Sequence, residues 1–515
     1  MMPNPGLCTC RTISLYYRFS RPVLRRELQF QCQFARYNHA SLPYADPVPG
    51  PEDCIFVAMS GGVDSSFVAH LLASKYVNVT GVYMANWTQP RTPRHEIKRP
   101  ISLRIRKNPE RLRQYLELEE RRNKESLELG MSCTETEWND VREVCKDLNI
   151  PAIRLNLEKE YWTEVFQPMI DRYAIGRTPN PDVDCNRYIK FGKLYDQIEN
   201  IAKQQGASKW WLATGHYART AIRKNTGQTH LLRPKDLTKD QTFYLATVLP
   251  SRLHNVLFPM HQYTKKEVRE LAVQMKIRTA YKPDSQGLCF VTPTVSAKAA
   301  EQAFREGRKI SSNTSGYRHF RDFLSEYIPE KEGNIVTYKG VVVGKHPGLW
   351  TATIGQRNGI TTGKIKEHEE DGPWYVIEKR QETNEIVIAP GRYNKRLLSS
   401  AMTCSEWSWL VDDLETSQIY ELATRGKLTV RCRPLQDPMI EVKKIEDLGN
   451  GNVRLEFTDK AHGIAPDQYG VLYFGDRVLG GGRTESIELA YRANSKAVEM
   501  EHEPERGVDS TSLHI

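Results

Sequence analysis

The stretch CIFVAMSGGVDSSFVAHLLASKY, residues 54–76, decides the fold of the first half of the chain. Its apolar run from Ile55 to Met59 has the length of a buried parallel strand. After the glycine pair the apolar spacing becomes helical, with Phe67 and Leu71 on one face. The stretch therefore predicts a strand, a glycine-rich turn and a helix.

The turn itself, SGGVDSS at residues 60–66, is suited to binding an anion. Its glycines let the backbone approach a ligand closely, and the serine hydroxyls and the N–H groups of the helix start point toward phosphate. It is not a Walker A loop, because no Gly-Lys-Ser/Thr follows. The plain alternative is an ordinary strand-to-helix turn with a serine cap. The full string resembles the PP-loop of the ATP pyrophosphatases, which implies that it holds the pyrophosphate end of ATP and that Asp64 serves the accompanying Mg²⁺.

Length and charge indicate how many domains to expect and whether the chain spans a membrane or binds nucleic acid. A chain of 515 residues predicts two or three domains, and the absence of an apolar run of about 18 residues argues against a membrane span. The net charge of +10 is concentrated in two segments: residues 1–44 hold six arginines and one acid, Glu27, and residues 89–130 hold twelve Lys/Arg against seven Glu. The remainder is near neutral, so charge alone is weak evidence for nucleic acid.

The first segment has the composition of a mitochondrial transit peptide, with a disordered basic tail as the alternative. The ten cysteines show no disulfide-framework spacing, which favours a reducing compartment. We therefore expect the mitochondrial matrix, and a monomer.

The periodicity predicts an α/β fold: a PP-loop domain with a parallel sheet, a small mainly helical connecting domain, and a C-terminal β-barrel-like domain in which apolar residues alternate with period two. The expected boundaries are 1–50 for the transit or disordered segment, 51–250 for the ATP-binding domain, 251–332 for the connecting domain, 333–484 for the tRNA-contacting β-domain and 485–515 for a disordered tail. Residues 89–130 interrupt the first domain as an insertion, either a solvated helix or an RNA-contacting arm.

Two loops each carry a cysteine. In RTPNPDVDCN, residues 177–186, two prolines predict a rigid loop, with a helix from about Tyr188 and Cys185 just before it. A helix start and nearby basic residues would lower the pKa of the thiol, while Asp184 would raise it, and the sequence leaves the balance open. The second loop, KPDSQGLCF at residues 282–290, carries Cys289.

Seven motifs occur in order between Cys54 and Arg483: SGGVDSS, NPDxxCN, ATGHYA, KDQTFYL, DSxGxCF, TIGQRxG and LGGG. Together they resemble the tRNA 2-thiouridylases, including the mitochondrial members that thiolate the wobble uridine. The resemblance implies a tRNA substrate, the mitochondrial lysine, glutamate and glutamine tRNAs among them. It also implies ATP with Mg²⁺, and a persulfide donor protein from a sulfur relay or a cysteine desulfurase.

The resemblance also assigns roles to residues of this sequence. ATP contacts fall on Ala58, Met59, Ser60, Gly61, Gly62, Val63, Asp64, Ser65, Met84 and Gly215. Contacts with the target base fall on Asn180, Pro181 and Asp182, the nucleophile is Cys185, and the persulfide carrier is Cys289. Contacts with tRNA fall on His216, Lys239, Asp240, Gln241, Arg431, Cys432 and Gln468, although Cys432 stands where an aromatic residue is expected.

The same residues fit the chemistry. The C2 carbonyl of uridine is a poor electrophile, so its oxygen must be activated, which adenylation does, and sulfur must arrive as a nucleophile, which a cysteine persulfide supplies. A second thiol then releases the sulfur and leaves a Cys185–Cys289 disulfide for a reductant to open. Asp182 is the expected general base or base-orienting group.

Two other functions remain open. One is a different PP-loop enzyme, such as an amidotransferase-type synthetase or an argininosuccinate-type ligase, which leaves the two loop cysteines unexplained. The other is a non-catalytic tRNA-binding protein, which has no use for an intact ATP loop.

Overall fold

The computed structural model describes residues 44–87, 133–282, 316–358, 373–411 and 413–490. Residues 1–43 of the predicted transit segment, the insertion 89–130, Cys289 and residues 491–515 of the predicted tail lie outside these ranges, whereas residues 44–50 and 485–490 lie inside them. Within them the strands are β1 (Tyr44–Ala45), β2 (Cys54–Met59), β3 (Val79–Ala85), β4 (Ala152–Asn156), β5 (Trp210–Thr214), β6 (Arg219–Arg223), β7 (Thr229–Leu232), β8 (Val256–Leu257), β9 (Gly333–Thr337), β10 (Val342–His346), β11 (Trp374–Arg380), β12 (Glu385–Pro390), β13 (Leu398–Trp409), β14 (Leu428–Arg431), β15 (Ile440–Gly449), β16 (Asn452–His462), β17 (Tyr469–Phe474) and β18 (Arg477–Leu489).

The α-helices of the same ranges are α1 (Val63–Ala73), α2 (Cys133–Leu148), α3 (Glu158–Tyr161), α4 (Gln167–Ala174), α5 (Pro181–Asp184), α6 (Tyr195–Gln204), α7 (Pro250–Leu253), α8 (Lys265–Gln274), α9 (Gly316–Tyr327) and α10 (Thr416–Thr424). Two π-helical stretches, Trp162–Phe166 and Cys185–Leu194, continue α3 and α5. Short 3₁₀ turns cover Leu237–Lys239, Thr242–Leu245, Pro259–Gln262, Leu349–Thr351 and Lys395–Leu397.

The first half is built on a parallel sheet with strand order β4-β3-β2-β5-β8. Its central strand β2 buries Phe56 in the core on one face and Ile55 and Val57 in the core on the other. Burial on both faces explains why this strand is continuously apolar. The carboxyl ends of β2, β3 and β5 then bring their following loops to one edge, where ligands of open α/β sheets bind.

The β-rich half contains two sheets. The smaller has the order β10-β9-β12-β11, with β9 and β12 parallel. In the larger, β18-β13-β16-β15-β14-β17 forms a closed six-stranded barrel, because β17 also pairs with β18. The alternation of apolar residues marks each of these strands but carries no signal of which partner it pairs with, so the sequence did not separate the two sheets.

A hairpin of the first domain extends the barrel sheet. Strand β7 pairs with β18 through Leu232 and Arg477, and β6 and β1 continue the sheet outward. The predicted fold class is confirmed: a parallel-sheet α/β domain, a middle region and a closed β-barrel. Strand β8 joins the parallel sheet, and Val268 of α8 packs in the same core as Phe67 of α1, so this part of the predicted connecting region lies against the first domain. None of the helices in the described ranges is both long and apolar enough to cross a bilayer.

Candidate active site

The PP-loop joins β2 to the buried helix α1. Gly61 has φ +70°, in the left-handed region that favours glycine, and its α-carbon faces the backbone of Glu137. The Ser60 N–H donates to Ser65 Oγ over 3.2 Å, while the hydroxyls of Ser65 and Ser66 donate to the Gly62 carbonyl. No described side chain caps the start of α1. The first N–H groups of this helix thus fit an anion such as the pyrophosphate end of ATP.

Gly215 lies directly against this loop. A β-carbon at Gly215 would stand 3.0 Å from the Ser65 nitrogen and 3.2 Å from the Asp64 β-carbon, so any larger residue here would have to displace the loop. Met84, in β3 next to β2, packs partly buried against the core beneath the same edge. The structure therefore brings together the ATP-contacting residues predicted from three separate strands.

Asp64 is not available to Mg²⁺ in this arrangement. Its two carboxylate oxygens both accept from the Lys265 ammonium at 2.7 Å, and Oδ1 also accepts from the Tyr217 hydroxyl at 3.3 Å. Among the described residues no group of three or more His, Cys, Asp or Glu is arranged to hold a metal ion. The predicted Mg²⁺ contact of Asp64 stays a prediction, and it requires Lys265 to leave this carboxylate.

The cysteine loop differs from the prediction in one respect. Its helix begins at Pro181, with Asn180 as the N-cap residue, so Cys185 lies one turn inside the helix instead of just before it. The reason is local, since proline at the first helical position has a suitable φ and needs no N–H partner. Cys185 is buried and opens the π-helical stretch, a rare form often found at functional sites.

The barrel holds this loop from outside. The Gln468 amide donates to the Thr178 carbonyl over 2.6 Å and accepts from the Asn180 amide over 3.5 Å. The Tyr469 hydroxyl and the Arg483 guanidinium both donate to Asp184 Oδ1, at 2.6 and 3.2 Å. Barrel residues thus fix the segment that carries Asn180 and Cys185.

The charged residues on either side of Cys185 both have partners. Arg187 pairs with Glu406 at 3.5 Å and lies over the Tyr188 ring. The charge of Asp184 is in turn balanced by Arg483.

Asp182, the predicted base, sits in a cluster of titratable groups. Burial raises the pKa of Asp182, and the positive charge of Lys190 opposes the shift. Burial, helped by the charge of Asp182, raises the pKa of Tyr244 to about 12. His216 is buried, with Nδ1 2.7 Å from Thr214 Oγ1, and burial lowers the pKa of this ring well below its ordinary value, with Lys190 adding to the effect. A raised pKa makes the Asp182 carboxylate a better proton acceptor than an ordinary aspartate.

The predicted tRNA-contacting residues fall into two sets. Lys239 is exposed, and Gln241 and Gln468 are partly so. Asp240, Arg431 and Cys432 are buried: Asp240 Oδ2 accepts from Arg431 Nη1 at 2.7 Å and from Arg233 Nε at 2.9 Å. Instead of facing solvent, Asp240 and Arg431 join the first domain to the barrel, and Cys432 packs against Met402 in the barrel core. In this arrangement they offer tRNA no surface, and a tRNA contact by Arg431 requires the ion pair to open.

Sequence reasoning missed Lys265 and Lys282 at the ATP loop and Tyr244 beside Asp182. Tyr244 belongs to the KDQTFYL motif, so its position was a usable signal. The two lysines lie about two hundred residues after the loop they contact, and no local pattern could have assigned them to it.

A cavity of about 330 Å³ opens beside the cysteine loop. Thr178 and Gln468 line it, as do Thr353, Ile354 and Gln356 of the TIGQR motif. This motif therefore lies where helix α9, the small sheet, the barrel and the cysteine loop meet.

Comparison with known proteins agrees with this arrangement. Three family models match in order: a tRNA methyl transferase HUP domain at residues 53–293, a tRNA methyl transferase PRC-barrel domain at 321–390 and an aminomethyltransferase beta-barrel domain at 399–484. The mitochondrial tRNA-specific 2-thiouridylase 1 of Saccharomyces cerevisiae is 35% identical over 84% of this chain and 92% of its own length. Its Schizosaccharomyces pombe counterpart is 34% identical over 90% and 99%.

A bacterial relative extends the match. The tRNA-specific 2-thiouridylase MnmA of Lactobacillus gasseri is 33% identical over 88% of this chain and 100% of its own length. Although the family models are described by methyl transfer, these three relatives, which match over 84–90% of this chain, are named thiouridylases. By its ATP loop, its cysteine loop and these relatives, the chain belongs to the tRNA-specific 2-thiouridylase family.

Proposed function

We propose that this protein is an ATP-dependent tRNA-uridine 2-sulfurtransferase that acts on the wobble uridine of mitochondrial tRNAs, those for lysine, glutamate and glutamine among them. Its relatives in two yeasts are named mitochondrial, which supports a location in the mitochondrion. The observation that carries the proposal is the position of the dipeptide Gly215-His216. Gly215 packs on the ATP loop, while the His216 ring lies 5.9 Å from the Phe191 ring in the helix that begins at the cysteine loop.

The first step joins the base to AMP. Asp182 accepts the N3 proton of the uridine as O2 attacks the α-phosphorus of ATP. The bond from that phosphorus to the bridging oxygen breaks, and its electron pair leaves with pyrophosphate. The raised pKa of Asp182 suits this transfer, and the loop and the start of α1 bind the departing charge.

The second step introduces sulfur. The terminal sulfur of a persulfide on Cys289 attacks C2, and AMP leaves with the oxygen that was O2. The Cys185 thiolate then attacks Cys289 Sγ, which breaks the sulfur–sulfur bond and leaves 2-thiouridine and a Cys185–Cys289 disulfide. A dithiol reductant supplies two electrons to reopen it, and a donor protein reloads Cys289.

Single-turnover thiolation tests this proposal. An unmodified tRNA with a wobble uridine is mixed with ATP, Mg²⁺ and glutathione persulfide, and AMP and 2-thiouridine are measured together. The wild type should form both in equal amounts, while Cys185→Ser and Cys289→Ser lose thiouridine and the control Cys54→Ser does not. AMP without thiouridine in the wild type would indicate another PP-loop reaction. Binding of tRNA with no ATP consumption would leave only a tRNA-binding protein.

A further inference from the structure

Two lysines from the region after the parallel sheet converge on the PP-loop. Lys265, the first residue of α8, places its ammonium 2.7 Å from both oxygens of Asp64. Lys282 places its ammonium 3.0 Å from the Gly61 carbonyl and 2.6 Å from Asp140 Oδ2. Both ammonium groups therefore contact the loop that is proposed to bind ATP, Lys282 at Gly61, just before Gly62 in sequence, and Lys265 at Asp64, just after it.

The two side chains are held in position and are largely withdrawn from water. Lys265 is 14% exposed and Lys282 27%. The position of Lys265 is fixed because Thr264 and Glu267 form a reciprocal cap at the start of α8. Side chains held in this way lose little entropy when a ligand binds, and their charges are weakly screened.

The loop needs these cations because its other neighbours are acidic. Asp64, Asp140 and Glu137 surround it, and burial raises the pKa of Glu137, whose Oε2 accepts from the Tyr83 hydroxyl. A pyrophosphate group brought to the start of α1 meets these carboxylates unless positive charge balances them. The two lysines are already in contact with the loop and can supply that charge.

We propose that Lys265 and Lys282 bind the β- and γ-phosphates of ATP and stabilise the pyrophosphate that leaves when the uridine is adenylated. This inference rests on the proposed function. The bond between the α-phosphorus and the bridging oxygen gives its electron pair to pyrophosphate, and the two ammonium groups donate hydrogen bonds to that growing charge. Asp64 holds Lys265 at the loop and gives it up to phosphate when ATP binds. These are positioning and leaving-group contacts, distinct from the cysteine chemistry.

Equilibrium binding tests the proposal without relying on turnover. The dissociation constants of ATP, pyrophosphate and AMP are measured for the wild type, Lys265→Met and Lys282→Met. The matched control is Lys266→Met, because Lys266 is the next residue on α8, is 85% exposed and pairs only loosely with Glu270 at 3.8 Å. ATP and pyrophosphate should bind at least tenfold more weakly to the two test variants, and AMP, which lacks both phosphates, within about twofold of the wild type. The control should match the wild type for all three ligands.

A double variant separates direct binding from simple neutralisation of Asp64. If Lys265 binds phosphate itself, Asp64→Asn/Lys265→Met remains weak for pyrophosphate, and Lys265→Arg recovers much of the affinity. If the double variant recovers the wild-type affinity, Lys265 only balances Asp64 and the proposal is overturned. Unchanged ATP binding in both single variants also overturns it, while AMP binding confirms that each variant is folded. A wild type that binds neither ATP nor pyrophosphate would instead refute the ATP-dependent function, and this proposal with it.

Discussion

Lys379 shows how closely one residue ties the small sheet to the cysteine loop. Its buried ammonium donates to the Ala352 carbonyl over 2.8 Å and to Thr178 Oγ1 over 3.3 Å. Burial lowers the pKa of Lys379 from 10.5 to about 7, although the negative charge of Asp467 opposes the shift. Near neutral pH the folded chain thus holds a lysine that readily loses its proton beside the loop that carries Asn180.

The lowered pKa predicts a pH dependence of stability. Between about pH 7 and 10.5 the unfolded chain keeps a proton on Lys379 that the folded chain releases, so the stability rises with pH in this window. The stabilisation that the neutral lysine provides is lost as the pH falls through the pKa of the folded state. In Lys379→Met the rise in Tm from pH 7 to pH 9 should be smaller than in the wild type. The exposed control Lys345→Met should keep the wild-type slope, and equal slopes in all three proteins would contradict the assignment.

The cysteine loop is an element positioned from a distance, and Gln468 is its main anchor. In Gln468→Ala the Thr178 carbonyl and the Asn180 amide lose their partner. We expect the single-turnover thiolation rate to fall about 10- to 100-fold, because small displacements of reacting groups are costly. ATP affinity should not change. The control Gln381→Ala removes an amide that donates to the Ile175 carbonyl, just before the loop, and should stay near the wild-type rate. Equal loss in both variants would mean that the anchor is not specific.

The buried ion pair between Asp240 and Arg431 joins β14 of the barrel to the first domain, and Arg233 shares the same carboxylate oxygen. Asp240→Asn leaves the buried Arg431 guanidinium without its anion, while Arg233 keeps only the Asp476 carboxylate at 3.8 Å. It should lower stability by about 3 kcal/mol or more. Arg431→Met should cost less, because Arg233 still pairs with Asp240. The loss of stability is measured as the Tm of each variant. The control is Lys443→Met, at the exposed Lys443–Glu456 pair. If Arg431→Met weakens tRNA binding at unchanged Tm, the predicted tRNA contact is correct instead.

These elements mark the limit of what the sequence could predict. The PP-loop and its helix are local, so the period change after Met59 located them correctly. The helix start at Pro181 was missed because two prolines were interpreted as a rigid loop, although proline also begins helices. The partners of Asp240 and Asp64 were beyond reach, because each depends on strands and helices about two hundred residues away that meet only in the folded chain.

At the scale of the whole molecule, the insertion leaves and re-enters the first domain at one place. The Thr134 hydroxyl donates to the Trp87 carbonyl over 2.6 Å, so the two flanks of the insertion lie in contact. Deleting residues 92–128 should therefore leave ATP affinity within about twofold, since shortening a loop between fixed ends costs little. A loss above tenfold would show that the insertion contributes to the ATP site. If tRNA binding alone falls tenfold, the insertion is an RNA-contacting arm. If tRNA binding does not change, the prediction of a solvated helix is favoured.

The central claim is that one chain activates the uridine oxygen with ATP and replaces it with sulfur at the same site. Single-turnover thiolation in ¹⁸O-labelled water tests this most directly, with the AMP analysed by mass spectrometry and 2-thiouridine counted in the same sample. If the base is adenylated, AMP takes its new oxygen from the uridine, and so it should be unlabelled and equal in amount to 2-thiouridine. AMP that carries one ¹⁸O for each thiouridine formed would mean that water, and not the base, attacks ATP, which would contradict the account.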